Sequence, residues 1–132
     1  MLTMQSLYKY RRIERERRFL LDQFPSNASV ARIRRITDRY IDGTALRLRQ
    51  QTDDTGPTTF KLTQKVPSPG SGAQQGFITT MYLSRGEFRT LVQLPAAQLS
   101  KTRYSVPPFG IDVFEGTLQG LVLAEARVLS RP

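Results

Sequence analysis

The chain of 132 residues carries 20 Lys and Arg against 11 Asp and Glu, a net charge of +9, and has neither cysteine nor histidine. Without those two side chains there is no disulfide framework, thiolate metal site or His-based nucleophile system, so any chemistry falls to carboxylates, Lys, Arg and hydroxyls. At 39% hydrophobic residues, the length and composition fit one domain with a packed core.

Residues 1–12 form a weakly patterned lead-in. Next, IERERRFLL (13–21) reads two ways. As a helix it gains a Glu14–Arg18 i,i+4 pair; as a strand it projects Glu14, Glu16 and Arg18 from one face. Residues 23–29, with Pro, Asn and two Ser, read as a turn or short helical connection. Strand signals then dominate. ARIRRITDRYI (31–41) ends at the turn dipeptide Asp42-Gly43, and ALRLRQ (45–50) alternates strictly, Leu46 and Leu48 opposite Arg47 and Arg49. Residues 52–57 are a hairpin loop. TFKLTQK (59–65) sets Phe60, Leu62 and Gln64 against Lys61, Thr63 and Lys65. Residues 67–76, rich in Pro, Gly and Ser, are a flexible loop before the strand FITTMYL (77–83).

One helix is marked by Ser84 and Glu87, an S-x-x-E capping box followed by the apolar stripe Phe88, Leu91 and Val92, with Pro95 as its stop. Strands resume at SKTRYSV (100–106), IDVFEG (111–116) and LVLAEARVL (121–129). The expectation is about eight strands and one helix, with no linker long enough to divide domains. No run of 18 apolar residues is present, and the start MLTMQSLYKYRR lacks the apolar core of a secretory signal. A cytoplasmic protein without a membrane partner is expected.

Several strands pair an apolar face with one of fixed charge. Arg47/Arg49, Lys61/Lys65, Lys101/Arg103, Glu14/Glu16/Arg18 and Glu125/Arg127 are all i,i+2 sets. Two architectures accommodate this: a sandwich with a solvated basic face, or a closed barrel with a charged interior. In the second, converging Arg and Lys repel one another unless an anion joins them, and Arg offers a donor fork that matches phosphate oxygens. Carboxylates among them suit a hard divalent cation, Mg²⁺ or Mn²⁺. Such a site fits phosphoryl transfer, which proceeds by positioning and charge neutralisation and needs no histidine.

The run Glu14-Arg15-Glu16-Arg17-Arg18 resembles the Glu-x-Glu-x-Lys signature of the CYTH domain family, the triphosphate tunnel metalloenzymes. TDRYIDGTALRLR, TFKLTQK, TTMYLS, LSKTRY, IDVFEG and GLVLAEA follow in the family's order, so the resemblance covers roughly residues 13–127. It implies an α+β fold, mainly an antiparallel eight-stranded β-barrel with a charged interior and few helices, as a single domain over 1–132. It places Glu14, Glu16 and Glu125 as catalytic and metal-binding, with Asp112 either at the metal or orienting a basic neighbour. Arg47, Arg49, Lys61, Lys65, Lys101 and Arg103 would hold the triphosphate, joined by Arg18 and, as a further inward candidate, Arg39.

Three departures from the family stand out. Arg18 replaces the signature Lys. The last strand reads Glu125-Ala126-Arg127 where Glu-x-Glu is usual. The family's acidic closing segment has no counterpart before Pro132.

The implied activity is metal-dependent hydrolysis of a triphosphate-containing small molecule. The alternatives are a catalytically weak polyphosphate- or nucleotide-binding module and a class IV adenylyl cyclase-like enzyme. Arg127 is expected to pair with Glu14 or Glu16 in place of a metal, or else to lie at the rim. A nucleic-acid partner for the basic 9–18 and 32–39 stretches is the thinner reading, since no known motif or aromatic stacking platform accompanies them. The oligomeric state is not legible.

Overall fold

The computed structural model describes residues 8–68 and 75–131. Eight strands are present: β1 (Arg12–Leu21), β2 (Arg32–Ile41), β3 (Leu46–Asp53), β4 (Thr58–Pro67), β5 (Gln75–Leu83), β6 (Ala96–Val106), β7 (Phe109–Phe114) and β8 (Val122–Ser130). They close into an antiparallel barrel in the order β1-β5-β4-β3-β2-β6-β7-β8, with β8 returning to β1. The ambiguous 13–21 segment is therefore a strand, and the closed barrel is the architecture adopted. β1 pairs with β8 over nine residues, Ile13↔Ser130 to Leu21↔Val122, and its other edge takes β5 from Arg12↔Ile78 to Arg15↔Gln75. This ladder satisfies ten backbone residues that a local Glu–Arg pair on an isolated helix could not hold.

The predicted loops are shorter than their composition suggests. β3 runs on to Asp53, β4 to Pro67, and β5 begins at Gln75. The centre of the predicted 67–76 loop, residues 69–74, lies outside the described residues. The single α-helix among them, α1 (Arg85–Leu91), starts as expected. Glu87 N–H donates to Ser84 Oγ at 3.1 Å, and Ser84 N–H donates to Glu87 Oε1 at 2.7 Å. The helix lies on the outside of the barrel, where Phe88 packs on Phe60 with ring centroids 4.5 Å apart.

Register decides which face is inside. Arg49 lies opposite both Asp38 and Lys61, Arg103 opposite both Arg34 and Asp112, and Arg18 opposite Glu125. On this face Asp38 and Asp112 are 0% and 1% exposed, whereas Met81 and Val128 on the opposite face are 59% and 63% exposed. The lumen is charged. The apolar core is a cluster on the outside of β7 and β8, formed by Ile111, Val122 and Ala124, with Phe24 and Leu21 packed against it. The β1–β2 connection thus shelters the apolar face that a barrel with a polar interior must turn outward. Among the described residues no helix is long and apolar enough to cross a membrane.

Candidate functional site

By strand parity, eleven basic and six acidic side chains point into the lumen. Glu14, Glu16 and Arg18 come from β1, Arg47 and Arg49 from β3, Lys61 and Lys65 from β4, Lys101 and Arg103 from β6, Asp112 from β7 and Glu125 from β8. The alternation of Leu46, Leu48 and Leu62 with these cations is therefore the inside–outside alternation of the wall. Arg39 is a correction. It lies opposite Leu48 on the outer face, where its guanidinium donates to Gln98 Oε1 (2.9 Å) and the Leu94 carbonyl (3.2 Å). Its parity is that of Thr37 and Ile41, not that of Asp38.

Two buried carboxylates organise the cations. Asp38 accepts two bonds from Arg49, Nε at 2.6 Å and Nη2 at 2.8 Å. Asp112 accepts the same fork from Arg103, at 2.7 and 2.8 Å, and Lys101 Nζ stands 2.8 Å from its Oδ2. Burial pushes both carboxyls up, but the guanidinium bonds and charges outweigh it and hold them below the ordinary value of 3.8. Both oxygens of Asp112 are committed to cations, the second of its two expected roles, in which it orients Arg103 and Lys101.

The β1–β8 wall holds the remaining signature residues. Glu16 binds Arg18 at 2.6 Å, and Glu125 meets Arg18 at 3.2 Å and Arg103 at 3.4 Å. Glu14 meets Lys65 at 3.3 Å past the intervening β5 and Arg127 at 3.3 Å. Arg127 therefore pairs with a carboxylate, as one of its two expected outcomes required, although its side chain remains 45% exposed. A Cβ at Gly76, opposite Glu14, would come within 2.9 Å of the Val66 carbonyl, so that wall stays bare. A cavity of about 180 Å³ opens there beside Glu14, Glu16, Arg18 and Lys65, and another of about 250 Å³ beside Arg34, Arg103, Glu125 and Arg127.

The opposite wall is different. Arg47 Nε is 3.9 Å from Asp38 and buried without a hydrogen-bond partner, while Arg34 Nε lies 3.4 Å from Asp53, a carboxylate that also holds Arg32. Lys61 has no carboxylate partner among the described residues. Burial, followed by the charges of Arg49, Arg34, Arg127 and Arg47, lowers its pKa below 10.5. Burial and Arg49 likewise lower that of Arg47. Lys61 on β4 thus feels cations from β2, β3 and β8, which places them around one lumen. Arg34 and Asp38 were not among the sequence candidates. Their signal was an i,i+4 spacing on a strand whose Arg35 and Arg39 occupy the other face.

Glu14, Glu16 and Glu125 offer oxygens suited to a divalent ion, yet each already holds a guanidinium or ammonium. Among the described residues no group of three or more acidic side chains is close enough to share an ion. As arranged, the carboxylates do not fit a metal.

No protein-family model and no curated protein matches the chain. Solved structures do. The crystal structure of the hypothetical protein NE1496 is similar over 89% of this chain and 77% of that one, at 27% identity and a TM-score of 0.50. The chain has the CYTH-type tunnel fold. A second structure, of the inorganic triphosphatase NE1496, matches over 89% of this chain and 74% of that one at 24% identity and a TM-score of 0.49. The eight-stranded tunnel with inward charge is the feature that the sequence resemblance implied.

Proposed function

We propose that the tunnel binds a compound carrying a linear triphosphate and hydrolyses its terminal phosphoanhydride. The observation that carries this reading is the pair Arg47 and Lys61, inward cations left without close carboxylate partners beside Arg34, which shares Asp53 with Arg32, in a lumen already in basic excess. Buried unpaired cations are costly, and a polyphosphate is the ligand class whose charge and acceptors answer all of them at once. The tunnel fold shared with NE1496 agrees with this reading.

In this reading the cations hold the phosphates and neutralise charge on the transferring group. A water oxygen attacks the terminal phosphorus and the bridging P–O bond breaks. Inorganic phosphate and a shortened diphosphate compound leave, and one proton is released. Glu16 is the carboxylate placed to take that proton. Its Oε1 is held by Arg18 at 2.6 Å, and its Oε2 has no partner among the described residues. Both oxygens of Glu14 and of Glu125 are engaged by cations.

A phosphate-release assay over tripolyphosphate, ATP and thiamine triphosphate, each with EDTA, Mg²⁺ or Mn²⁺, tests the reading. The Arg127–Glu14 contact favours a second reading, capture without turnover. Binding of tripolyphosphate with no phosphate released would select it, and absence of both would end the two readings together. Bound tripolyphosphate at a hundredfold excess over Kd should stabilise the fold by about 2.7 kcal/mol, on the order of 10 °C in Tm for a chain of this size.

The lowered pKa of Lys61 gives a pH signature. Its ammonium discharges below the ordinary lysine value of 10.5, so tripolyphosphate affinity should fall as pH rises through the alkaline range below that value. Lys61→Arg, charged throughout, should flatten that fall. Equal pH profiles for the two proteins would remove Lys61 from the binding set.

A further inference from the structure

The β1–β8 wall and the β2–β4 wall differ in how their charges are met, and the difference bears on what form of ligand the tunnel accepts. On the first, every carboxylate has a resident cation: Glu14 has Lys65 and Arg127, Glu16 has Arg18, and Glu125 has Arg18 and Arg103. On the second, Asp38 is taken by Arg49 and Asp53 meets Arg32 and, at 3.4 Å, Arg34, while Arg47 buries an Nε–H with no hydrogen-bond acceptor and Lys61 has no carboxylate partner among the described residues. The free tunnel therefore has more cations than carboxylates on one side and no unclaimed carboxylate pair on the other.

We propose that Arg127 is the built-in cation of the Glu14 site, and that this tunnel takes its triphosphate as the metal-free anion. The proposal rests on the triphosphate reading given above.

A divalent ion of this kind needs several oxygen ligands at close to 2 Å in near-octahedral array. Supplying them here means detaching Arg127 and Lys65 from Glu14, or Arg18 from Glu16, and leaving those cations beside a doubly positive ion. That arrangement adds like charge to a lumen where cations already outnumber carboxylates eleven to six. A triphosphate meets no such obstacle. Its oxygens can accept from Arg34, Arg47 and Lys61 without breaking any ion pair on the other wall. Arg127, half-exposed and reaching Glu14 at 3.3 Å through a single Nη1, is the least constrained of the resident cations. It also lines the 250 Å³ cavity with Arg34 and Arg103, so it borders both the carboxylates and the anion space.

The test uses two readouts that do not depend on turnover. Calorimetric titration of the full chain with tripolyphosphate, in EDTA and then in Mg²⁺, is expected to give binding in EDTA at least as tight as in Mg²⁺. Titration of the ligand-free protein with Mn²⁺, followed by paramagnetic resonance, is expected to show no tight site. Arg127→Glu should raise Mn²⁺ affinity by about tenfold or more, because one change removes a repelling charge and adds an oxygen donor. Arg127→Gln, which only removes the cation and sits at a half-exposed position, should give a smaller gain in the same direction.

Binding that appears in Mg²⁺ and vanishes in EDTA would overturn the proposal while leaving the triphosphate reading standing. So would Mn²⁺ binding as tight in the wild type as in Arg127→Glu. No tripolyphosphate binding under either condition would overturn both the proposal and the reading beneath it.

Discussion

Asp38→Asn should lower the unfolding free energy by about 3–5 kcal/mol, the usual cost of removing one partner from a buried ion pair. Asp38 is wholly buried and takes both donors of Arg49 at 2.6 and 2.8 Å, with Arg47 at 3.9 Å from the same carboxylate. Without that charge, two buried guanidiniums on β3 face each other across 2 residues of one strand. The sign with pH is fixed by the lowered carboxyl pKa. The stabilisation is fully present above the ordinary 3.8 and is lost as pH falls through the lower folded value. The difference between wild type and variant in urea unfolding should therefore be full at neutral pH and shrink in acid below 3.8. Tripolyphosphate should recover part of the loss at neutral pH, because it supplies the negative charge that the variant lacks. A variant as stable as the wild type at neutral pH would show that Arg49 is solvated in the lumen and does not depend on Asp38.

Much of the barrel was readable because its alternation is strict where it matters. On β3 the sequence sets Leu46 and Leu48 against Arg47 and Arg49, on β4 Phe60 and Leu62 against Lys61 and Lys65, and the ladder Arg49↔Lys61 with Leu48↔Leu62 follows that alternation directly. The helix was readable for a local reason: a capping box is satisfied within four residues and needs no tertiary information. What escaped the sequence depends on register. β2 has arginines on both faces, Arg32 and Arg34 inward, Arg35 and Arg39 outward, so charge alone does not identify its inner side. Only pairing with Arg49 and Arg103 fixes it.

The role of Asp112 is open between metal and cation in the sequence for the same reason, since the register that sets Arg103 directly across the ladder is not written in either strand alone. The strand ends at Asp53 and Pro67 were hidden by turn-forming residues nearby, which a closing barrel recruits into its ladders. Arg127 was legible as a departure on the face of Glu125, and its contact with Glu14 follows from lying opposite Glu16 on the neighbouring strand.

Glu16→Gln should reduce phosphate release from tripolyphosphate by about 10²–10⁴-fold, the range for loss of a positioned proton acceptor. The argument lies in how the three signature carboxylates are occupied. Glu14 and Glu125 each spend both oxygens on cations, and a carboxylate between two cations is a poor acceptor for a water proton. Glu16 spends one oxygen on Arg18, has no partner for the other among the described residues, and lines a cavity with Glu14 and Lys65.

Binding should respond differently from turnover. Gln keeps the shape and removes one negative charge from a basic lumen, so tripolyphosphate affinity should hold or rise slightly. A fall in kcat without a fall in affinity is thus the expected signature, measured by single-turnover phosphate release beside calorimetric titration. Glu14→Gln serves as the contrast. It should loosen Arg127 and Lys65 and alter affinity more than chemistry. Full turnover by Glu16→Gln, with activity lost instead in Glu14→Gln or Glu125→Gln, would assign the proton to another carboxylate and overturn this role for Glu16.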